Sequence, residues 1–264
     1  MLIKLRGKKC KLFESNIEYL IEFLRTNIMK ILKEAINGVK KIDEKLGNWD
    51  LVTEYDRKIE DLIIGQLKTK FPDHKFIGEE SIGKELPELT NDPTWIIDPI
   101  DGTTNFVHAF PHTCIVIGLA IKKEMVIGIV YNPILEQLFT ARKGRGAFLN
   151  DKPIKVSKVQ VDLSESLIAM EPWIAKNPNY LVNIYARMHA LIQRTHRIRS
   201  LGTAALTLCY VAMGAIEAYH VESIDAWDVA AGKLIIEEAG GTVIDTAGRW
   251  RIRFNNTKSY SSLQ

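Results

Sequence analysis

Apolar residues recur at helical spacing in two stretches near the beginning of the chain. The first extends from Ser15 to about Lys41, and its opening sequence Ser15-Asn16-Ile17-Glu18 has the spacing of a capping box. The second follows Thr53, with Asp56 three residues later, and reaches Phe71-Pro72. These patterns predict two amphipathic helices, one beginning at Ser15 and one capped by Thr53.

The rest of the chain mixes strand and helix patterns. Runs of β-branched and aromatic residues between turn residues predict strands over 75–78, 114–121, 125–131, 137–141, 166–170 and 216–221. Helical patterns occupy 180–193, the stretch from Gly202 to Gly214, and 226–239, where Gly240-Gly241 would end the helix. Because strands and helices do not alternate strictly, a layered α+β fold is favoured over a Rossmann or barrel fold.

No repeat, low-complexity tract or linker interrupts the chain, which predicts a single domain over residues 15–264. Residues 1–14 begin with a basic stretch without acids, and we expect a disordered basic end there. A transit peptide is the alternative interpretation of that stretch.

The composition is that of an ordinary globular protein, with 46% hydrophobic and 25% charged residues. The net charge of +3 is small and the basic residues are dispersed, so we expect no nucleic-acid partner. No apolar run approaches the roughly 20 residues of a membrane span, so we expect no membrane partner. The 3 cysteines are typical of buried thiols in a reducing compartment, and we expect a cytoplasmic protein.

The most informative segment joins an apolar run, Trp95-Ile96-Ile97, to Asp98 and Asp101 and then to Gly102-Thr103 at a predicted helix start. Two carboxylates at a strand end can hold hard cations, and helix-start amides favour anions such as phosphate. Glu79 and Asp228 also fall at the ends of apolar elements. Taken singly, each acid has an ordinary structural explanation as a turn residue or helix cap.

Taken together, these four acids predict a metal site, since like charges gathered at element ends repel one another unless cations neutralise them. An oxygen-only donor set favours Mg²⁺ over zinc. The chain has no Gly-x-Ser-x-Gly sequence, no Walker loop and no Gly-x-Gly-x-x-Gly, which argues against a serine nucleophile and against nucleotide binding of those kinds. The segment therefore predicts metal-assisted phosphate chemistry.

Four segments, in order, resemble the inositol monophosphatase family. Trp95 through His108 is similar to its first signature and Trp227 through Gly232 to its second, while Gly78-Glu79-Glu80-Ser81 and Asp50 through Asp56 are similar to two further segments. The similarity extends from about Asp50 to Asp245 and is strongest to the animal members. It implies an αβαβα sandwich of the inositol monophosphatase and fructose bisphosphatase type, a homodimer, and a lithium-sensitive, Mg²⁺-dependent hydrolase of myo-inositol monophosphate.

The resemblance also implies residue roles. Glu79, Asp98 and the Ile100 carbonyl would hold a first Mg²⁺, Asp98, Asp101 and Asp228 a second, and Glu79 would reach a third. Glu79, Thr103 and Asp56 would be catalytic, with Thr103 hydrogen-bonded to Asp56 and orienting the water that the metals activate. Lys45 resembles a family lysine near the metals, although a solvated lysine at a helix end is an alternative. The substrate-binding residues would be Glu79, Ile100, Asp101, Gly102, Thr103, Gly202, Thr203, Ala204, Glu222 and Asp228.

The chain departs from the family pattern at three places. Val221 stands where relatives often have a sugar-binding glutamate and Glu222 follows it, so the strand register would turn this carboxylate away. The loop over 171–179 is unlike that of the animal enzymes, and the final strand and helix of the family are not evident, as in a truncated isoform or an imperfect gene model. Two alternatives therefore stay open: a related phosphatase of a nucleotide 3′-phosphate, a sugar bisphosphate or histidinol phosphate, or a truncated, non-catalytic metal-binding member.

Overall fold

The computed structural model describes residues 8–45, 51–82, 88–157 and 162–244. Its α-helices are α1 (Lys8–Phe23), α2 (Met29–Ala35), α3 (Glu54–Lys70), α4 (Thr103–Val107), α5 (Pro178–Ile192), α6 (Ala204–Ala212) and α7 (Ala226–Glu238). Its strands are β1 (Ile42–Glu44), β2 (Leu51–Thr53), β3 (Lys75–Gly78), β4 (Thr94–Asp101), β5 (Cys114–Ile121), β6 (Glu124–Asn132), β7 (Gln137–Arg142), β8 (Gly146–Leu149), β9 (Lys152–Ile154), β10 (Leu167–Met170), β11 (Arg197–Arg199) and β12 (Ala218–His220). A π-helical turn, Leu24–Ile28, joins α1 to α2, and 3₁₀ turns occupy Leu163–Glu165 and Trp173–Lys176.

A seven-stranded sheet in the order β3-β4-β5-β6-β7-β8-β9 forms the larger scaffold. β3 and β4 are parallel, and each later pair is antiparallel. Every residue of β4 is buried, as expected for a strand that is covered on both faces. Alternate β4 residues therefore belong to different cores, with Trp95 and Ile97 on one face and Ile96 on the other.

Helices cover both faces of this sheet. Apolar residues of α1, α2 and α3, among them Leu20, Leu32 and Ile63, pack on the Trp95 face. The opposite face packs against α6 and α7, where Leu206 and Ile235 are fully buried. The site described below lies at the ends of these elements, between the seven-stranded sheet and the α6–α7 layer.

A second sheet completes the layers. β10 lies between β11 and β12, and both pairs are parallel. Tyr219 of β12 packs on the α6–α7 core, whereas Met170 packs in a separate cluster with Ile184 of α5. The order of layers is therefore helix, sheet, helix, sheet, helix, which confirms the predicted αβαβα sandwich.

Two boundaries of the first predicted helix are wrong. The structure begins α1 at Lys8, so Ser15 lies inside the helix and the helical segment overlaps the end over 1–14 that was expected to be disordered. Serine and glutamate three residues apart also share one face of a continuous helix, so this spacing alone does not mark a start. The helical segment ends at Ala35 rather than near Lys41. Residues 1–7 and the C-terminal stretch over 245–264, where family elements were expected to be missing, lie outside the described residues.

The helices and strands predicted after Thr53 are present, but β8, β9 and β11 were not predicted as strands. Thr53 caps α3 in a capping box with Asp56, and α7 ends immediately before Ala239 and Gly240, with the latter at φ +93°. Cys114 and Cys209 are buried free thiols. Among the described helices, none is both long enough and apolar enough to cross a membrane.

Candidate active site

Strand β4 brings two aspartates to the same face of the seven-stranded sheet. Asp98 and Asp101 are three residues apart, so regular alternation would place their side chains on opposite faces. The pairing with β5 shifts between them, because Asp98 lies opposite Val116 whereas Asp101 lies opposite Cys114. β4 thus uses three residues where β5 uses two, and this β-bulge turns both carboxylates towards the layer of α6 and α7.

Two further acids reach this position from other elements. Asp228, in the first turn of α7, has a carboxylate oxygen within 4.8 Å of those of Asp98 and Asp101. Glu79 directly follows β3, and its N–H donates to the Ile97 carbonyl at 3.0 Å, which continues the parallel pairing with β4. The Glu79 side chain lies within hydrogen-bonding reach of Asp98. The four acids that the sequence singled out are therefore neighbours.

The cluster is electrostatically costly without a cation. Burial and the charges of Glu79 and Asp101 raise the pKa of Asp98 well above its usual range. Burial, with the same two acids, does so for Asp228. Burial raises the pKa of Asp101 to about 6, although four hydrogen-bond donors oppose the shift. In the part of the chain that the structure describes, the grouped metal-ligating side chains here are the carboxylates of Asp98, Asp101 and Asp228, so the site fits a hard divalent cation that would neutralise them.

Lys45 lies beside the cluster and contacts two consecutive acids. Its ammonium Nζ is 2.7 Å from Glu79 Oε1 and also forms an ion pair with Glu80. Burial opposes the charge on Lys45, but the two carboxylates outweigh it and raise the pKa of this lysine. Burial raises the pKa of Glu80 to about 7, even though Lys45 favours its ionised form. Of the two interpretations of Lys45, a lysine near the metal site or a solvated lysine at a helix end, the contact with Glu79 favours the first.

Asp56 is both a helix cap and a neighbour of Thr103. Its Oδ2 accepts hydrogen bonds from the N–H and the hydroxyl of Thr53, at 2.7 and 2.6 Å. The Thr103 hydroxyl is 3.4 Å from Asp56 Oδ1 and 3.0 Å from the Ile100 carbonyl. Burial, followed by the repulsion of Glu79, raises the pKa of Asp56 to about 6 against the effect of Thr53. The predicted contact between Thr103 and Asp56 is present but is the longer of the two contacts that the hydroxyl makes.

The beginning of α6 supports Asp101. The Thr203 hydroxyl donates to Asp101 Oδ2, and the N–H groups of Ala204 and Ala205 donate to the same carboxylate at 3.3 and 2.8 Å. An anion at the start of a helix is stabilised by these open amides. In the predicted substrate-binding set, the Thr203 hydroxyl and the Ala204 amide are therefore already bonded to a metal-site acid.

Two glycines allow the beginnings of α4 and α6 to approach each other. Gly102 has φ +84° and Gly202 has φ +70°, both in the left-handed region. A Cβ atom on Gly102 would lie 3.1 Å from the Gly202 carbonyl, and one on Gly202 would lie 2.9 Å from the Asn105 side chain. The two predicted substrate-binding segments are consequently in contact across the site.

Glu222 is held by other side chains. It is 8% exposed, forms an ion pair with Arg187 of α5, and its Oε1 is 3.1 Å from His220 Nε2. Burial, followed by the charge of Arg187, lowers the pKa of His220. The carboxylate that was predicted to bind sugar therefore has a cationic partner. This agrees with the expectation that its position one residue after Val221 would turn it away from the substrate.

Sequence reasoning missed three polar residues that hold the site. Glu60 of α3 accepts a hydrogen bond from the Glu80 N–H at 2.8 Å, Glu171 accepts three hydrogen bonds around Leu201, and Asn105 donates to the Leu201 carbonyl. For Glu60 a signal was available, because Asp56 and Glu60 are acids on the stripe that also carries Ile63. For the other two, the partners are too distant in sequence to leave a local pattern.

Comparison with known proteins identifies the relatives of this arrangement. The sequence profile described as the inositol monophosphatase family matches residues 14–262. Inositol monophosphatase 3 of Solanum lycopersicum is 46% identical over 221 residues, covering 83% of this chain and 82% of the relative. Inositol monophosphatase 2 of Homo sapiens is 43% identical over 221 residues, covering 83% and 76%.

Solved structures show the same fold. The extragenic suppressor protein suhB of Bartonella henselae superposes with a TM-score of 0.78 at 33% identity, covering 88% of each chain. A structure described as an IMPase/NADP phosphatase complexed with Mg²⁺ and phosphate has a TM-score of 0.72 at 26% identity, covering 87% of this chain and 83% of that one. A structural neighbour of this chain thus contains Mg²⁺ and phosphate.

Proposed function

The chain belongs to the inositol monophosphatase family, and on this premise we propose that it hydrolyses myo-inositol monophosphate to inositol and inorganic phosphate with Mg²⁺. The observation that supports this most directly is the convergence of four acids from the end of β3, from β4 and from α7, of which Asp98 and Asp101 are buried. Three of their carboxylates lie within 4.8 Å of one another, a distance that bound cations can span. The proposed substrate is taken from the relatives, which are named inositol monophosphatase.

We assign the metal ligands as the family resemblance implies. Glu79, Asp98 and the Ile100 carbonyl would hold a first Mg²⁺, Asp98, Asp101 and Asp228 a second, and Glu79 would also reach a third ion. The hard oxygen donors and the raised pKa values of the aspartates support this set, because both indicate a site that gains from divalent cations. Bound Mg²⁺ would supply positive charge that neutralises the phosphate and activates water.

The chain's own groups would position the reactants. The Thr103 hydroxyl donates a hydrogen bond to the Ile100 carbonyl or to Asp56, so its oxygen can accept a hydrogen bond from the attacking water and orient it. The backbone amides of Gly102 and Thr103 would hold the phosphate, since phosphoryl transfer depends chiefly on placement and charge neutralisation. Residues 202–204 would line the inositol side, next to Gly102.

A second candidate function keeps the same chemistry with another leaving group. Glu222, the carboxylate expected to bind sugar hydroxyls, is neutralised by Arg187, which weakens its case as an inositol ligand. A nucleotide 3′-phosphate, a sugar bisphosphate or histidinol phosphate would then be the substrate.

We also propose, from the family resemblance, that the protein is a homodimer and is inhibited by lithium. From the few buried cysteines we propose a cytoplasmic location.

Phosphate release from this panel of esters, with and without Mg²⁺, tests the proposal. We expect Mg²⁺-dependent release with inositol 1-phosphate as the preferred ester, and a large preference for another ester would favour the second candidate. Asp98→Asn should reduce the rate by about a hundredfold or more, since it removes the shared ligand. Asp92→Asn, an exposed acid paired with Lys75 near the beginning of the same strand, is the matched control and should leave the rate unchanged. A folded protein with no release of phosphate would indicate the non-catalytic alternative.

A further inference from the structure

Glu171 is a buried carboxylate that holds the turn before α6. It directly follows β10, is 7% exposed, and each of its oxygens accepts hydrogen bonds from the segment over 200–202. Oε1 accepts from the N–H groups of Leu201 at 2.9 Å and Gly202 at 3.1 Å. Oε2 accepts from the Ser200 hydroxyl at 2.8 Å. Three donors satisfy the buried charge and tie it to one short turn.

Asn105 holds the same turn from the opposite side. Its Nδ2 donates to the Leu201 carbonyl at 2.7 Å and to the His112 carbonyl at 2.7 Å. The Leu201 carbonyl and the Gly202 N–H belong to one peptide group, so Asn105 binds its oxygen end while Glu171 binds its hydrogen end. Glu171 comes from the three-stranded sheet and Asn105 from α4, which follows β4. The peptide is therefore fixed in orientation between the two sheets.

The residues that follow this peptide contact the metal-site acid. Gly202 is in the left-handed region, and the Thr203 hydroxyl and the Ala205 N–H after it donate to Asp101. The orientation of the 201–202 peptide sets the direction in which the chain enters α6. A rotation of this peptide would move the segment over 202–204 relative to Gly102. The two are close, because a Cβ atom added to Gly102 would lie only 3.1 Å from the Gly202 carbonyl.

We propose that Glu171 is a positioning residue for substrate binding, which acts by fixing the 201–202 peptide between its own carboxylate and Asn105. The proposal rests on the proposed function, because the segment it positions is the one assigned to the inositol side of the substrate. Among the described residues, the hydrogen bonds of Glu171 are to the segment over 200–202 and not to the metal-site acids. Its removal should therefore weaken binding of the ester more than it weakens binding of Mg²⁺ or slows the chemical step.

Two substitutions separate the hydrogen bonds from the charge. In Glu171→Gln the amide oxygen can accept from both backbone N–H groups while the amide nitrogen donates to Ser200, so all three contacts can persist without the charge. In Glu171→Ala all three contacts are lost, but Gly202 is an exposed residue, so water can replace the carboxylate at its amide and the fold should survive. Glu165→Ala, an exposed glutamate in the 3₁₀ turn just before β10, is the control.

Steady-state kinetics on inositol 1-phosphate give the first readout. Glu171→Ala should raise KM about tenfold, as expected for losing hydrogen bonds to a charged acceptor, while kcat and the Mg²⁺ concentration for half-maximal rate change less than about threefold. Glu171→Gln should stay within about threefold of the unsubstituted protein in KM. Unchanged KM with reduced kcat in Glu171→Ala, or a Gln variant as defective as the Ala variant, would overturn the proposal.

Hydrogen exchange of the full chain gives a readout that needs no turnover. In Glu171→Ala the amides over 200–203 should exchange faster, while those of α7 keep their protection. Unchanged exchange over 200–203 would overturn the proposal, whereas faster exchange throughout α7 would mean a general loss of structure and would also overturn it. If the unsubstituted protein does not hydrolyse inositol 1-phosphate, the proposed function fails, and the exchange result still decides whether Glu171 fixes the peptide.

Discussion

Gly78 is the residue at which the support for Glu79 can be tested most sharply. It ends β3 in ordinary strand conformation, so alanine is compatible with its backbone. Space is the obstacle, because an added Cβ would lie 2.6 Å from Glu60 Oε1, with the rest of that carboxyl group closer still. Glu60 is 2% exposed and accepts hydrogen bonds from Glu80 and Ser81. Gly78→Ala must therefore displace a buried acid from its donors.

The magnitude follows from those contacts. A hydrogen bond to a charged group is worth about 1.5–3 kcal/mol, and overpacking in a core costs about 1–3 kcal/mol. Because the Glu60 side chain can move part of the way, we expect a total of about 3 kcal/mol. For a protein of this size, that lowers the melting temperature by roughly 6–10 °C. Glu79 directly follows Gly78 and would be displaced with it, so the Mg²⁺ concentration for half-maximal rate should rise as well.

Gly65 provides a control with the identical substitution. It lies in the middle of α3 on the exposed side, and an added Cβ would meet nothing within 4 Å. Alanine is preferred over glycine in a helix interior by about 0.8–1.0 kcal/mol, so Gly65→Ala should raise the melting temperature by roughly 2–3 °C. The same chemical change is thus expected to have opposite signs at the two glycines.

Thermal unfolding of both variants, and of Gly78→Ala combined with Glu60→Ala, completes the assay. If the carboxyl group of Glu60 is the obstacle, the double variant should be about as stable as Glu60→Ala alone, because the added methyl group then has room. Fully additive losses in the double variant would refute this explanation. A melting temperature for Gly78→Ala equal to that of the unsubstituted protein would refute the whole argument.

Three further predictions concern the acids and the water-orienting hydroxyl. Asp228→Asn should make the metal-free protein more stable at neutral pH, because it relieves repulsion with Asp101. It should also reduce the stabilisation by Mg²⁺, because it removes a ligand of the second ion while the ligands of the first remain. Both effects are read from melting temperatures with and without the ion, and a variant that Mg²⁺ stabilises as much as the unsubstituted protein would contradict the assignment. Asp101 has a pKa of about 6 in the folded protein against a usual 3.8, so between these pH values the folded state binds more protons than the unfolded state, and the metal-free protein should lose stability as pH rises from about 4 to 6. The Mg²⁺-dependent rise in melting temperature should grow over the same range. A larger Mg²⁺ effect at pH 5 than at pH 7.5 would contradict this prediction. Thr103→Ala should lower kcat by about a hundredfold with little change in KM, while Thr103→Ser retains most activity; equal loss in both would show that the hydroxyl is not the group required.

Those parts of the structure that depend on neighbours in sequence could be predicted. The capping box of Thr53 and Asp56, the apolar run before Asp98, and the glycines after α7 are local signals, and the structure has a helix start, a strand and a helix end at these positions. The same reasoning failed at Ser15, since a serine and a glutamate three residues apart also fit the interior of a helix. Local patterns identify elements better than they identify boundaries.

The arrangement of the site needed information that no local pattern contains. The bulge that puts Asp98 and Asp101 on one face is a property of the pairing with β5, not of β4 alone. Glu171 reaches a turn 30 residues away, and Asn105 bonds to Leu201 at a separation of 96 residues. Such contacts become visible only when the sheets and helices are assembled, which is why the acids could be listed from the sequence but Glu171 and Asn105 could not.

The acids of the site are also parts of helix ends, which explains how so much negative charge can be gathered in a buried position. Asp56 completes the capping box of α3, Asp228 accepts from the Asp225 N–H at the beginning of α7, and Asp101 accepts from the first amides of α6. Three helix starts thus direct their N–H groups at three carboxylates and offset part of their mutual repulsion. The offset is incomplete, because burial still raises the pKa of all three. What remains uncompensated is the burial of these carboxylates and the repulsion among them, which a bound divalent cation would relieve.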